Sequence, residues 1–217
     1  MREINPKTAT RRAVKGFIPK DAIWGYSMFT PKGYISCRGT FEDGFGEKFL
    51  RLPCQKGDIL YVRETWAFQC CIECMNIYED DSCMIGKTST THEDKDAISE
   101  GCYIYRADHP HAERITWRPS IHMPKEAARI WLKVTDVRVE RLQEITEGQA
   151  VKEGITCVKY DADTGKEMSA SLDWFPVLWN STLKKSDLDR YGWDANPWVW
   201  VIEFEQCEKP KDWGGNK

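Results

Sequence analysis

No run in this chain approaches the roughly eighteen consecutive apolar residues that a membrane-spanning helix requires. The N-terminus also lacks the apolar segment that opens a secretory signal. These absences lead us to expect a cytoplasmic protein without a membrane partner. Net charge is equally scarce, at −3 over 217 residues, and excludes a broad electrostatic grip on duplex nucleic acid. The nine cysteines are an odd number and do not read as the disulfide framework of a small secreted domain. What is present is a hydrophobic content of 41% with ten Trp, enough to build the core of one ordinary domain carrying an insertion.

The small net charge hides an uneven distribution. Arg2, Lys7, Arg11, Arg12, Lys15 and Lys20 face only Glu3 among the first twenty residues, whereas the segment from Glu73 to Glu100 is strongly acidic. A local basic pocket is expected; a long nucleic-acid track is not. Within the basic leader, Lys7-Thr8-Ala9-Thr10-Arg11-Arg12 places hydroxyls among cations, a set of donors that suits a phosphate or a polar base.

Further along, Lys56-Gly57-Asp58 is a turn signal, and the β-branched and aromatic run Ile59 to Trp66 predicts a strand entering the core. Arg63 and Glu64 are adjacent on that strand and so point to opposite faces, one toward a pocket and one toward a structural pair. Residues 69–101 break the pattern with acids, hydroxyls and clustered Cys, and read as an insertion before a strand over Tyr103 to Arg106. In Trp117 to Pro124 two prolines impose an extended course, with Pro124 opening a short helix through Ala128. His122 between them suits either a ligand contact or a buried, hydrogen-bonded ring.

Ile130 to Leu142 predicts a long strand. Thr146 predicts the cap of a helix from Glu147 to Glu153, closed by Gly154. Asp173 is expected to cap an amphipathic helix through Leu183. Trp198 to Glu205 carries bulky residues on both faces and predicts a doubly buried or barrel-closing strand. The residues beyond Lys209 form a polar tail.

Cysteine spacing raises a metal question. Cys71-x-x-Cys74 can place two thiolates on one zinc, and Cys83 with Cys102 or His92 can complete a tetrahedron. The spacing contains no second C-x-x-C, so free thiols in a variable loop are the competing reading. A structural zinc is the only cofactor expected. Cys37, Cys54, Cys157 and Cys207 are dispersed and read as buried or incidental thiols.

Taken in order, the segments Lys7 to Arg12, Gly57 to Trp66 (GDILYVRETW), Trp117 to Pro124 (WRPSIHMP), Ile145 to Ile155 and Trp198 to Phe204 resemble the ASCH family of the PUA-like superfamily, in its phage and prophage form. The likeness covers nearly all of the chain outside 69–101. It implies an α+β fold: a PUA-like mixed β-barrel with peripheral helices, here one domain over 1–210 with a Cys-containing insertion. The family includes an amidohydrolase that removes the acetyl group from N4-acetylcytidine. Matched residue by residue, its catalytic positions fall on Lys7, Thr10 and Glu153.

The resemblance therefore implies an amine base at Lys7, a nucleophile or water anchor at Thr10 and a proton donor at Glu153. Arg12, Arg63, Glu64, Trp66 and His122 are the expected substrate contacts, with Arg12 on the oxyanion and Trp66 stacked on the pyrimidine. The expected partner is a modified nucleoside or single-stranded nucleic acid. A non-catalytic RNA- or DNA-binding module of prophage origin is the alternative, and binding of a protein through the insertion is a third.

Overall fold

A computed structural model describes residues 7–70, 91–92, 101–109, 115–160 and 167–211. The fold is mixed α+β, rich in antiparallel strands and with few helices. Its contacts divide the chain into two compact units, Met1–Asp58 with Lys133–Glu205, and Ile59–Leu132 with Gln206–Lys217. No helix among the described residues is long and apolar enough to cross a membrane.

The first unit contains β1 (Ala9–Ala13), β2 (Ile23–Gly25), β3 (Tyr34–Phe41) and β4 (Gly44–Arg51). β2, β3 and β4 form an antiparallel sheet, and Phe41 pairs with Gly44 across a two-residue turn. The second unit holds β5 (Ile59–Tyr61), β6 (Trp66–Cys70), β7 (Thr91–His92) and β8 (Gly101–Tyr105). The strand predicted over 59–66 is therefore broken: residues 62–65 leave the ladder between β5 and β6. β8 pairs with β6 and β7 in an antiparallel sheet. Around it Trp66, Tyr103, Tyr105, Met123 and Trp131 pack a largely aromatic core.

The long predicted strand is β9 (Trp131–Arg141). It is followed by helix α1 (Glu147–Lys152), the short hairpin β10 (Val158–Tyr160) and β11 (Glu167–Ser169), helix α2 (Ser171–Ser181), the single-turn α3 (Leu188–Tyr191) and β12 (Trp198–Cys207). β12 lies between β1 and β9, so β1 is the edge of its sheet. β1 and β12 run antiparallel, with Ala9 opposite Glu203 and Arg11 opposite Val201.

The bulky alternation of β12 places two cores on its two faces. Val199 and Val201 meet Ala150, Ile155, Phe175 and Trp179 from the helical segments. Trp198 and Trp200 both meet the Trp24 ring, on the side of the β2–β4 sheet. The dispersed thiols agree with their reading where they are buried: desolvation pushes Cys37 and Cys54 above the usual thiol range.

Helix α1 starts at the predicted residue and ends one residue earlier than predicted, with Glu153 as its C-cap. The Thr146 hydroxyl accepts from the Gln149 backbone N–H, the Gln149 side chain accepts from the Thr146 N–H, and Gly154 turns the chain at φ 89°. Helix α2 begins two residues before the predicted cap. Its leading N–H groups, at Ser171 and Leu172, donate to the two Glu147 carboxylate oxygens at 2.7 and 2.9 Å. A side chain on the first turn of one helix thus caps the next, and Asp173 instead pairs with Lys159. Glu147→Ala is expected to lower stability by about 1–2 kcal/mol, the usual cost of a lost cap, read as a fall in urea midpoint with unchanged slope.

Candidate functional site

Three local features bring the basic leader to the end of α1. The Thr8 N–H donates to the Lys152 carbonyl at 2.8 Å, which satisfies one of the helix's last acceptors. Gly154 has no side chain, and a Cβ there would stand 3.4 Å from the Lys7 Cβ. Glu153 is the helix C-cap, so its side chain emerges where the leader passes. The result is a contact between distant parts of the sequence: Lys7 Nζ lies 3.2 Å from Glu153 Oε2.

The other Glu153 oxygen, Oε1, accepts from Arg11 Nη1 at 3.1 Å. Arg11 Nη2 reaches Glu140 Oε2 at 3.4 Å. The Arg11 and Glu153 side chains are 1% and 7% exposed, whereas Lys7 is 48% exposed. A buried guanidinium and a buried carboxylate are therefore joined by a cation that reaches solvent. Arg11 was not among the residues expected at the site. Strand alternation carries the signal for it: along β1, Ala9, Arg11 and Ala13 share one face while Thr10 and Arg12 share the other.

That alternation separates the expected catalytic positions. Lys7 and Glu153 are brought together. Thr10 lies on the face of β1 opposite Arg11, and its hydroxyl makes no hydrogen bond among the described residues. Arg12 shares the Thr10 face and is exposed.

The charge cluster continues beyond Glu140. Arg138 on β9 donates to Glu140, to Asp136 at 2.7 Å and to Glu203 on β12 at 2.8 Å. Lys152 reaches Glu203 at 3.1 Å. Burial opposes the charge on Glu203, but the Arg138 and Lys152 hydrogen bonds outweigh it and hold the carboxyl below its ordinary value of 4.5. Burial also works against the Arg138 cation, and its three carboxylate partners prevail, raising its affinity for the proton.

The remaining expected contacts lie in the second unit. Glu64 directs both oxygens to Arg129, at 2.8 and 2.9 Å, in a bidentate pair. Arg129 also reaches Asp108, and its guanidinium sits 4.0 Å from the Tyr105 ring centroid. The Glu64 hydrogen bonds are the main reason Arg129 binds its proton more tightly than usual. Glu64 is thus the structural member of the Arg63–Glu64 pair. Arg63 is directed to the Ile121 carbonyl and the Tyr61 hydroxyl, each at 3.2 Å.

Trp66 was expected to offer a stacking face. It is 5% exposed and packed edge-on against Tyr103, with the Arg118 guanidinium 5.0 Å from its ring, so its faces are occupied. His122 ends a 3-10 turn and is exposed, which removes the buried-ring reading. The zinc expectation rests on Cys71, Cys74 and Cys83, which lie outside the described residues, as does the side chain of Cys102. Among the described residues no group of three or more His, Cys, Asp or Glu is arranged around a metal position.

Comparison of the chain with protein-family models, with curated proteins and with solved structures returns no match.

Two outcomes follow from this geometry. Arg11→Ala leaves Glu153 buried with a single, solvent-exposed counter-ion, and is expected to cost about 3–5 kcal/mol in urea unfolding. Glu203 contributes stability that is fully present above pH 4.5 and is lost as pH falls through its depressed folded value. Glu203→Gln is accordingly expected to flatten the acid limb of urea midpoint against pH. An acid limb identical to that of the wild type would remove this carboxylate as its source.

Proposed function

We propose that this chain is an ASCH-type, PUA-like domain that recognises a nucleobase or modified nucleoside, and that it hydrolyses the acyl amide of N4-acetylcytidine-like substrates. The single observation that supports this reading is the 3.2 Å contact between Lys7 Nζ and Glu153 Oε2. The antiparallel α+β organisation accords with a PUA-like fold.

The pair suits amide hydrolysis because its resting form is one proton transfer away from the reactive one. Moving a proton from the Lys7 ammonium to the Glu153 carboxylate yields a neutral amine and a carboxylic acid together. The amine then takes a proton from an attacking water, and the acid protonates the departing exocyclic nitrogen. Arg11 on the second oxygen holds the carboxyl in place through both steps. Water replaces the Thr10 hydroxyl as the nucleophile in this scheme, because Thr10 belongs to the other face of β1.

Oxyanion donors are available from the backbone. The Val14 N–H donates to Trp198 on β12, so the alternate N–H groups at Ala9, Arg11 and Ala13 point to the open edge of the sheet. Donors fixed in a strand need no reorganisation when charge develops.

A second reading, a non-catalytic module for single-stranded nucleic acid, draws on a different surface. Phe45 and Phe49 alternate along β4 and are exposed, Phe45 by 73%, on the same face as Arg38 and Arg51. Exposed rings beside cations suit base stacking. The purified protein with N4-acetylcytidine separates the two. Hydrolysis by the wild type is expected to disappear in Lys7→Ala and Glu153→Gln. Lys7→Ala is expected to keep the wild-type unfolding free energy in urea within about 1 kcal/mol, since its ion pair is half exposed. Undiminished turnover in either variant removes the proposed roles, and no turnover by the wild type, with salt-sensitive oligonucleotide binding, favours the second reading.

A further inference from the structure

A cleft of about 560 Å³ opens along the edge of β1, and its lining among the described residues includes four cations, Arg11, Arg12, Lys15 and Arg51, and no carboxylate. Such a concentration of one sign is unusual in a chain of net charge −3. Arg12, Lys15 and Arg51 are exposed and form no ion pair among the described residues. Arg11 is different: its terminal nitrogens are taken by Glu153 and Glu140, but its buried Nε has no partner among the described residues. A buried donor without an acceptor carries a desolvation cost that a bound anion can relieve.

The backbone adds to this set. Ala13 belongs to the lining, and by the alternation set at Val14 its N–H points to the unpaired side of β1. The lining also includes large apolar side chains, Leu50, Trp179, Leu183 and Trp200. Cations and large apolar groups around one cleft fit an anionic group attached to a flat organic body. The volume lies in the range of small-ligand clefts.

We propose that this cleft binds the phosphate of a nucleotide, so that the molecule the protein takes is a phosphorylated nucleoside and not the free nucleoside. The identity of the base rests on the nucleoside reading above; the phosphate rests on the cleft alone. Arg11 links the two, because the same guanidinium that lines the cleft holds Glu153. Arg12 and Arg51 present planar forks suited to phosphate oxygens, and Lys15 a point charge.

Calorimetric titration of the full chain with cytidine 5′-monophosphate, cytidine and inorganic phosphate tests the idea without any turnover. The nucleotide is expected to bind at least about tenfold more tightly than cytidine and to weaken as salt is raised. Arg51→Ala and Lys15→Ala, both at exposed positions outside the hydrolytic pair, are each expected to weaken the nucleotide about tenfold and to leave cytidine unchanged. Arg51→Lys is expected to recover part of the loss. Equal affinity for nucleotide and nucleoside, inorganic phosphate binding as tightly as the nucleotide, no binding at all, or variants without effect would each overturn the assignment. Nucleotide binding that depends on Arg51, in a protein with no hydrolytic activity, would leave the cleft in place and remove only the hydrolase.

Discussion

A guanidinium buried in the first strand obliges the fold to surround it with carboxylates. Arg11 is almost wholly withdrawn from water, and the cost of desolvating it is several kcal/mol unless partners of opposite charge are held at hydrogen-bond distance. Glu153 comes from the end of α1 and Glu140 from β9, so three separate elements must converge on one side chain. The convergence is not achieved by charge alone. The Thr8–Lys152 backbone bond and the side-chain-free Gly154 hold the leader against the helix end, and the valines of β12 hold the helical segments against the sheet. The ion pair is therefore a consequence of packing as well as a constraint upon it.

Glu153 has two oxygens in two environments: one faces a buried cation, the other an ammonium with half its surface in water. The first contact fixes the carboxyl's orientation, and the second gives it a counter-ion in reach of solvent. The Arg138 cluster beside it extends the same logic, since it surrounds Glu140 and Glu203 with cations and leaves neither as an uncompensated buried charge.

Much of the fold is legible in the sequence where local signals and burial agree. Thr146, Gln149 and Gly154 mark both ends of α1, and the alternation of Trp198 to Phe204 marks a strand buried on both faces. The β2–β4 sheet is less legible. Its hairpin turns on Glu42-Asp43 instead of an Asn-Gly pair, and within β3 stands Gly39, a residue poor in strand propensity, where a Cβ would meet Pro19 at 3.0 Å. The start of α2 is hidden for a different reason: its cap, Glu147, lies 24 residues away. At the site, the motif Lys7 to Arg12 identifies the region, yet motif order does not say which face of β1 each residue occupies. Alternation does, and it selects Arg11 over Thr10 as the neighbour of Glu153. Trp66 shows the limit of residue type as a guide, because whether an indole is a platform or a core ring depends on what the rest of the chain packs on it.

Among the described strands, β1 stands at the edge of its sheet. A central strand has its backbone donors occupied on both sides, whereas β1 pairs only with β12 among the described residues. An unprotected edge is a hazard for association unless it is charged or covered. Here Arg12 and Lys15 place cations along it, and Arg51 stands across the cleft that it borders. The charges that guard the edge against another strand also line the cleft, so the proposed anion site draws on the same residues that protect the fold.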